Sequence, residues 1–112
     1  MRAAKIYRNG VLAGVLTEER NDSFLFRYDD NYFLDSSQPS VSLTLPKIQQ
    51  EYHSPFLFPF FFNMLSEGVN RRVQSLQLKI DENDDFGLLL ATAQYDTIGA
   101  IKVKEIKITN ND

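Results

Sequence analysis

Residues 55–68 read PFLFPFFFNMLSEG, and five of the chain's nine phenylalanines fall within seven positions of it, at Phe56, Phe58, Phe60, Phe61 and Phe62. An amphipathic helix needs one apolar stripe, roughly 100° wide, whereas this run is apolar on every side. It is therefore either buried all round or left with a surplus face for a partner. Pro55 suits the first turn of a helix, where its missing N–H would have no partner anyway. Pro59 is less comfortable and moves the start of regular helix toward Phe58. Gly68 reads as the end of that helix or as a bend.

Before this run, residues 39–46 (PSVSLTLP) alternate, with Val41, Leu43 and Leu45 on one side and Ser40, Ser42 and Thr44 on the other, which predicts a half-buried strand closed by prolines. Residues 47–54 read as a polar connector. Nearer the N-terminus, Asn9-Gly10 between residues 5–8 and 11–17 is the strongest local signal for a two-residue hairpin. Residues 23–28 (SFLFRY) are aromatic and β-prone, a third strand, and Tyr32, Phe33 and Leu34 form one helical turn. Beyond the run, Val69, Val73, Leu76 and Ile80 recur at three and four, a helical pattern. Asp84-Asp85 ahead of FGLLL predicts a capped, buried helix with acid at the positive end of its dipole. Residues 99–106 (GAIKVKEI) set Ile101, Val103 and Ile106 against lysines as a closing strand, and residues 109–112 are a polar, frayed tail.

The 112 residues suit one domain, which at this size buries roughly 65% of its unfolded surface. A net charge of −3 argues against phosphate-backbone binding, and the adjacent Arg71-Arg72 reads as a solvated helix face. With no cysteine, disulfides, thiolate catalysis and cysteine-based zinc sites are excluded, and a reducing cytoplasm is the expected location. The N-terminus lacks the apolar core of a signal peptide, and the longest apolar run is too short to cross a bilayer.

Little else in the chain suggests chemistry. His53 is the sole histidine, in a proline-flanked connector, and reads as a surface or capping residue. Asp81, Asn83 and Asp85 open with calcium-loop spacing, but glycine falls at 87 instead of 86 and Thr92 stands where the loop needs Glu. Asp85-Phe86-Gly87 spells a kinase metal-binding tripeptide without the other parts of that machinery. No phosphate-binding glycine loop appears, so no catalytic residue, metal or cofactor is expected.

Three ordered blocks carry a resemblance: VSLTLP at Val41 to Pro46, FFFNMLSEG at Phe60 to Gly68 with Arg71-Arg72 after it, and DFGLLLATAQYDTIGAIKV at Asp85 to Val103. Together they resemble the N-terminal subdomain of HipA-type serine/threonine kinase toxins. The likeness lies in that family's Ser-Leu-Pro strand, its Phe-Phe-x-Asn-Leu-Leu-Pro-Glu-Gly helix and its closing block ending in Gly-Ala, and it covers residues 1 to about 106. Ser66 stands where the family often has proline, and Tyr95 replaces a family glycine; both alter loop geometry. A free-standing copy of the subdomain is similar to the HipS-type proteins of three-component HipBST toxin–antitoxin systems. The resemblance implies a non-enzymatic antitoxin that binds a HipT-like kinase, with a HipB-like helix-turn-helix protein as the DNA-binding third member. The alternative is an accessory subunit that completes the kinase in trans, or bridges it to the HipB-like protein, without neutralising it.

Phe62 occupies a position where the kinases commonly carry a polar residue, so it is expected to face solvent. Set against the family pattern, Phe56, Pro59 and Phe62, with Glu67 and Arg71, are the expected partner contacts. Phe58, Phe60, Phe61 and Leu65 are the expected core. The expected fold is one α+β domain over residues 1–108. In it a small, mostly antiparallel sheet of about five strands, with barrel-like curling left open, packs against two or three helices.

Overall fold

The computed structural model describes residues 2–19, 23–65, 67–92 and 100–106. The expectations for Ser66, Tyr95 and the tail from Thr109 lie outside these residues. Five strands form one antiparallel sheet: β1 (Arg2–Arg8), β2 (Val11–Glu18), β3 (Phe24–Tyr28), β4 (Glu51–Ser54) and β5 (Ile101–Ile106), in the order β4-β3-β2-β1-β5. The sheet is open, with β4 and β5 at its edges. Among the described residues four helices accompany it, where two or three were expected: α1 (Asp30–Leu34), α2 (Pro59–Phe62), α3 (Gly68–Leu78) and α4 (Asp85–Thr92).

The β1–β2 hairpin turns at Asn9 (φ +51°) and Gly10 (φ +79°), the two positive φ angles that its tight turn requires. Its register shifts between Ile6 and Tyr7, which leaves Ala13 as the extra residue of a bulge, and the Ala13 carbonyl accepts the Asp29 N–H at 2.8 Å. That bond places the start of α1, where the Asp29 carboxylate caps the Asn31 and Tyr32 N–H groups.

The core packs on one face of the sheet. Strand β3 lines it with Phe24, Phe26 and Tyr28, all buried, and each ring meets a different element. Phe24 meets Phe86 of α4 edge-on at 5.7 Å, Phe26 lies against Phe61 of α2 at 5.9 Å, and Tyr28 stacks on Tyr32 of α1 at 5.9 Å. Gly14 of β2 sits under this file: a Cβ there would lie 2.5 Å from the Arg27 carbonyl oxygen and 2.8 Å from the Phe26 ring.

At the end of the same face, Arg2 holds three elements together. Its guanidinium donates to Glu18 of β2 at 2.8 and 2.9 Å and to Asp84, ahead of α4, at 2.9 and 2.8 Å, while Asp84 also accepts the Gly87 N–H. These hydrogen bonds from Arg2 hold the Asp84 carboxyl below its usual range, and the expected cap of α4 is present.

Residues 39–46 are not a strand. Val41 and Leu45 are buried as the alternation implies, but Leu43 is 99% exposed. The Ser42 carbonyl accepts the Leu45 N–H and the Ser42 hydroxyl accepts the Thr44 N–H, so the segment closes into a turn. The buried Tyr28 hydroxyl fastens it by donating to the Leu45 carbonyl and accepting the Val41 N–H at 3.0 Å. Burial pushes this phenol's pKa up, so it stays a donor at neutral pH. The strand that does extend the sheet is β4, within the expected polar connector. It pairs with β3 from Phe24↔Ser54 to Arg27↔Glu51.

Gly14→Ala should destabilise the domain by about 2 kcal/mol in urea unfolding, because the Arg27 backbone cannot yield as a side chain could. Asp84 has a folded pKa below its unfolded value, so its stabilisation is present above about pH 4 and is lost as pH falls through the folded value. Acid unfolding of Asp84→Asn should accordingly show a shallower loss of stability below pH 4 than the parent.

Candidate partner-binding surface

The phenylalanine run divides at Phe58. Phe58 is the N-cap of α2, Pro59 its first residue, and the helix lasts only four residues before Asn63. Pro59 thus starts the helix, and residues 55–57 stay outside it. Gly68 does not end this helix; it begins α3. As expected, Phe58, Phe61 and Leu65 are buried and Phe60 is half-buried against the core. Phe61 meets Phe26, Phe58 and Phe60, and so seats α2 on the sheet.

The surplus residues point outward. Phe56 is 76% exposed and Phe62 41%, and Pro59 and Glu67 are also exposed. Arg71 is different. Its side chain is only 16% exposed, so the expected solvated Arg71-Arg72 face holds for Arg72 alone. The Arg71 guanidinium pairs with the Asp85 carboxylate, donates from Nε to the Glu82 carbonyl at 2.9 Å, and lies 5.8 Å from the centre of the Phe62 ring. It ties α3 to the start of α4 and covers one side of Phe62.

Asp85 connects the two exposed phenylalanines. With Arg2, Phe24, Phe56 and Phe86 it lines one open groove, and through Arg71 it reaches Phe62. Phe56 and Phe62 therefore flank the Asp85–Arg71 pair, a strip with a ring at each end and a charge pair between them. Such a surface suits recognition of another protein: exposed rings supply the apolar area and the paired charges orient it.

A helical stripe of Val69, Val73 and Leu76 should turn inward, and in α3 the structure reverses this. Val69 is 76% and Leu76 73% exposed, Val73 and Leu78 are also exposed, and the one buried residue of the helix is Ser75. Periodicity misses these apolar residues because it finds a stripe but not what the stripe faces. The core is covered instead by α1, α2 and α4 together with Val41, Leu45 and Leu57, which the periodicity of one helix cannot reveal. Lys79, the C-cap, adopts the left-handed conformation at φ +57°.

His53 lies exposed on edge strand β4, with Glu19 and Glu51 carboxylates at 3.8 and 4.0 Å. Ser54, its neighbour, accepts the Phe56 N–H instead of approaching the imidazole. Among the described residues, no three His, Asp or Glu side chains gather as metal ligands, and no helix is long and apolar enough to cross a membrane.

Comparison with known proteins gives a consistent picture. The sequence pattern of the HipA N-terminal domain matches residues 4–104. The chain is 32% identical over 107 residues to an uncharacterized protein of Haemophilus influenzae, covering 96% of this chain and 95% of that protein. It is 27% identical over 89 residues to the putative kinase Y4mE of Sinorhizobium fredii, a match that takes in 80% of this chain and only 21% of that protein. The solved N-terminal domain of HipA toxin is similar with a TM-score of 0.72 and 28% identity, over 97% of this chain and 96% of that one.

The left-handed Lys79 offers a local test of how α3 ends. Glycine adopts this conformation without the Cβ penalty, so Lys79→Gly should raise stability by about 1 kcal/mol in urea unfolding.

Proposed function

The chain belongs to the HipA N-terminal domain family, and on that premise we propose that it is a non-enzymatic antitoxin that binds and inhibits a HipT-type serine/threonine kinase within a three-component toxin–antitoxin system. The observation that carries this reading is the strip from Phe56 through Asp85 and Arg71 to Phe62, which exposes aromatic surface beside a well-filled core. The match to a putative kinase of which this domain is about a fifth supports a kinase as the partner. The match to a Haemophilus protein over 95% of its length supports a domain that also works as a separate chain.

In this reading Phe62 and Phe56 enter apolar recesses of the kinase, with Pro59 and Glu67 at the rim. Arg71 acts chiefly by holding Phe62 and α3 in place. Inhibition results from an aromatic side chain lodged near the nucleotide or substrate cleft, or from clamping a mobile lobe. A HipB-like helix-turn-helix protein is the DNA-binding third component, and the acidic balance of this chain fits its having no nucleic-acid role of its own.

The kinase match also favours a second reading, in which the chain completes the kinase in trans without neutralising it. Autophosphorylation of the kinase with and without this protein separates the two, since an antitoxin lowers it. For the contact itself, Phe62→Asp should cost about 2 kcal/mol of binding, roughly thirtyfold in Kd by calorimetry, and abolish rescue of growth on co-expression with the kinase. Full rescue by Phe62→Asp would place the contact elsewhere.

A further inference from the structure

Helix α3 is fastened to the domain chiefly by one side chain. Ser75 is its only buried residue, Arg71 and Gln74 are half-buried, and every other position of the helix is exposed. The Ser75 hydroxyl donates to the Arg72 carbonyl at 2.8 Å, so its bond stays within the helix. Among the described residues, Arg71 is the one α3 side chain that hydrogen-bonds outside the helix, to the Asp85 carboxylate and the Glu82 carbonyl. The Arg72–Glu82 pair, at 3.8 Å between exposed side chains, adds little.

The backbone bends at both ends of the helix. Gly68 (φ +59°) opens α3 and Lys79 (φ +57°) caps it, both in the left-handed conformation, and a Cβ at Gly68 would meet nothing within 4 Å. On either side of these bends the chain is anchored again, for Leu65 is buried and Ile80 packs against the core. Element-terminal residues of this kind absorb the backbone changes of a hinge. Between them lies a helix of 11 residues, too short to be stable in water unless something packs against it.

We propose that α3 is a latched strap: it opens as a unit between Gly68 and Lys79 while the sheet and α1, α2 and α4 stay folded, and Arg71 is the latch. Once released the helix melts, because its apolar stripe has no neighbour to hold it. Hydrogen bonds to charged groups set the scale, so the closed form outnumbers the open one by about tenfold to a hundredfold. Opening takes the guanidinium away from the Asp85 carboxylate and the Glu82 carbonyl, and bares the side of the Phe62 ring that Arg71 covers. The strip from Phe56 to Phe62 therefore has two forms, and α3 selects between them.

Amide hydrogen exchange on the intact chain, followed residue by residue by NMR, tests this without any kinase. The amides of residues 72–78, which bond within α3, should be protected about tenfold to a hundredfold, and β2 amides about a thousandfold or more. Raising urea to about 1 M should leave the α3 values unchanged and lower those of β2 about tenfold, because local opening exposes little surface and global unfolding exposes much. Arg71→Ala should bring α3 to within about threefold of an unstructured chain with β2 still protected at least about a hundredfold. Arg71→Lys, which keeps a charge for Asp85 but not the paired donors, should fall between. Protection of α3 equal to that of β2, or falling in parallel with it in urea, would show that the helix opens only with the whole domain and would overturn the proposal. So would an α3 without protection in the parent, or one whose protection survives Arg71→Ala. The outcome is independent of the Phe62 test, since no partner enters it.

Discussion

Three aromatic residues spaced two apart on one strand organise this domain. The pleat of β3 sends Phe24, Phe26 and Tyr28 to the same face, and the three rings meet α4, α2 and α1 in turn. Neighbouring strands accommodate the file: β2 offers Gly14 beneath the Phe26 ring, and β1 supplies the small Ala4 and the buried Ile6. Tyr28 adds a hydroxyl that holds residues 41–45 through two backbone bonds, so one strand positions three helices and a loop. Arg2 closes the open end of that layer, with both of its carboxylate partners bound through two nitrogens.

Helix α3 has no ring of β3 to meet. Its attachment passes through Arg71 to Asp85 and the Glu82 carbonyl, a polar connection on the side opposite its apolar stripe. A short helix in water draws most of its stability from packing its apolar face, and this one turns that face outward. The domain thus carries two kinds of surplus apolar surface with separate origins. The rings of Phe56 and Phe62 are left over from a run too rich for the core, and the α3 stripe is left over from a helix that the core does not reach.

Where local chemistry decides structure, the sequence was legible. Asn9-Gly10, the bounded aromatic strand before Asp29 and the acids ahead of Phe86 each carry their own geometry, and the elements stand where those signals put them. The division of the phenylalanine run was legible as well: Phe58, Phe61 and Leu65 lie inside, Phe56 and Phe62 outside. Residues 39–46 misled because alternation cannot distinguish a strand from a turn whose two apolar ends are pulled in by a distant tyrosine. Strand β4 escaped notice because EYHS has one apolar side chain; it is a strand because β3 has an edge to fill. The direction of α3 and the burial of Arg71 depend on Asp85 and the Glu82 carbonyl, which only the folded chain brings near.

The Arg71–Asp85 pair beside Phe62 is partly open to solvent, 16% and 35% of the two side chains being exposed, and water there screens their attraction. A surface laid over Phe62 would expel that water, and in the lower dielectric the same two charges attract more strongly. Arg71 also donates to a carbonyl, so the pair enters the drier setting already hydrogen-bonded. Covering the ring would therefore stiffen the joint between α3 and α4, and a contact centred on one phenylalanine would be felt as rigidity along the length of α3.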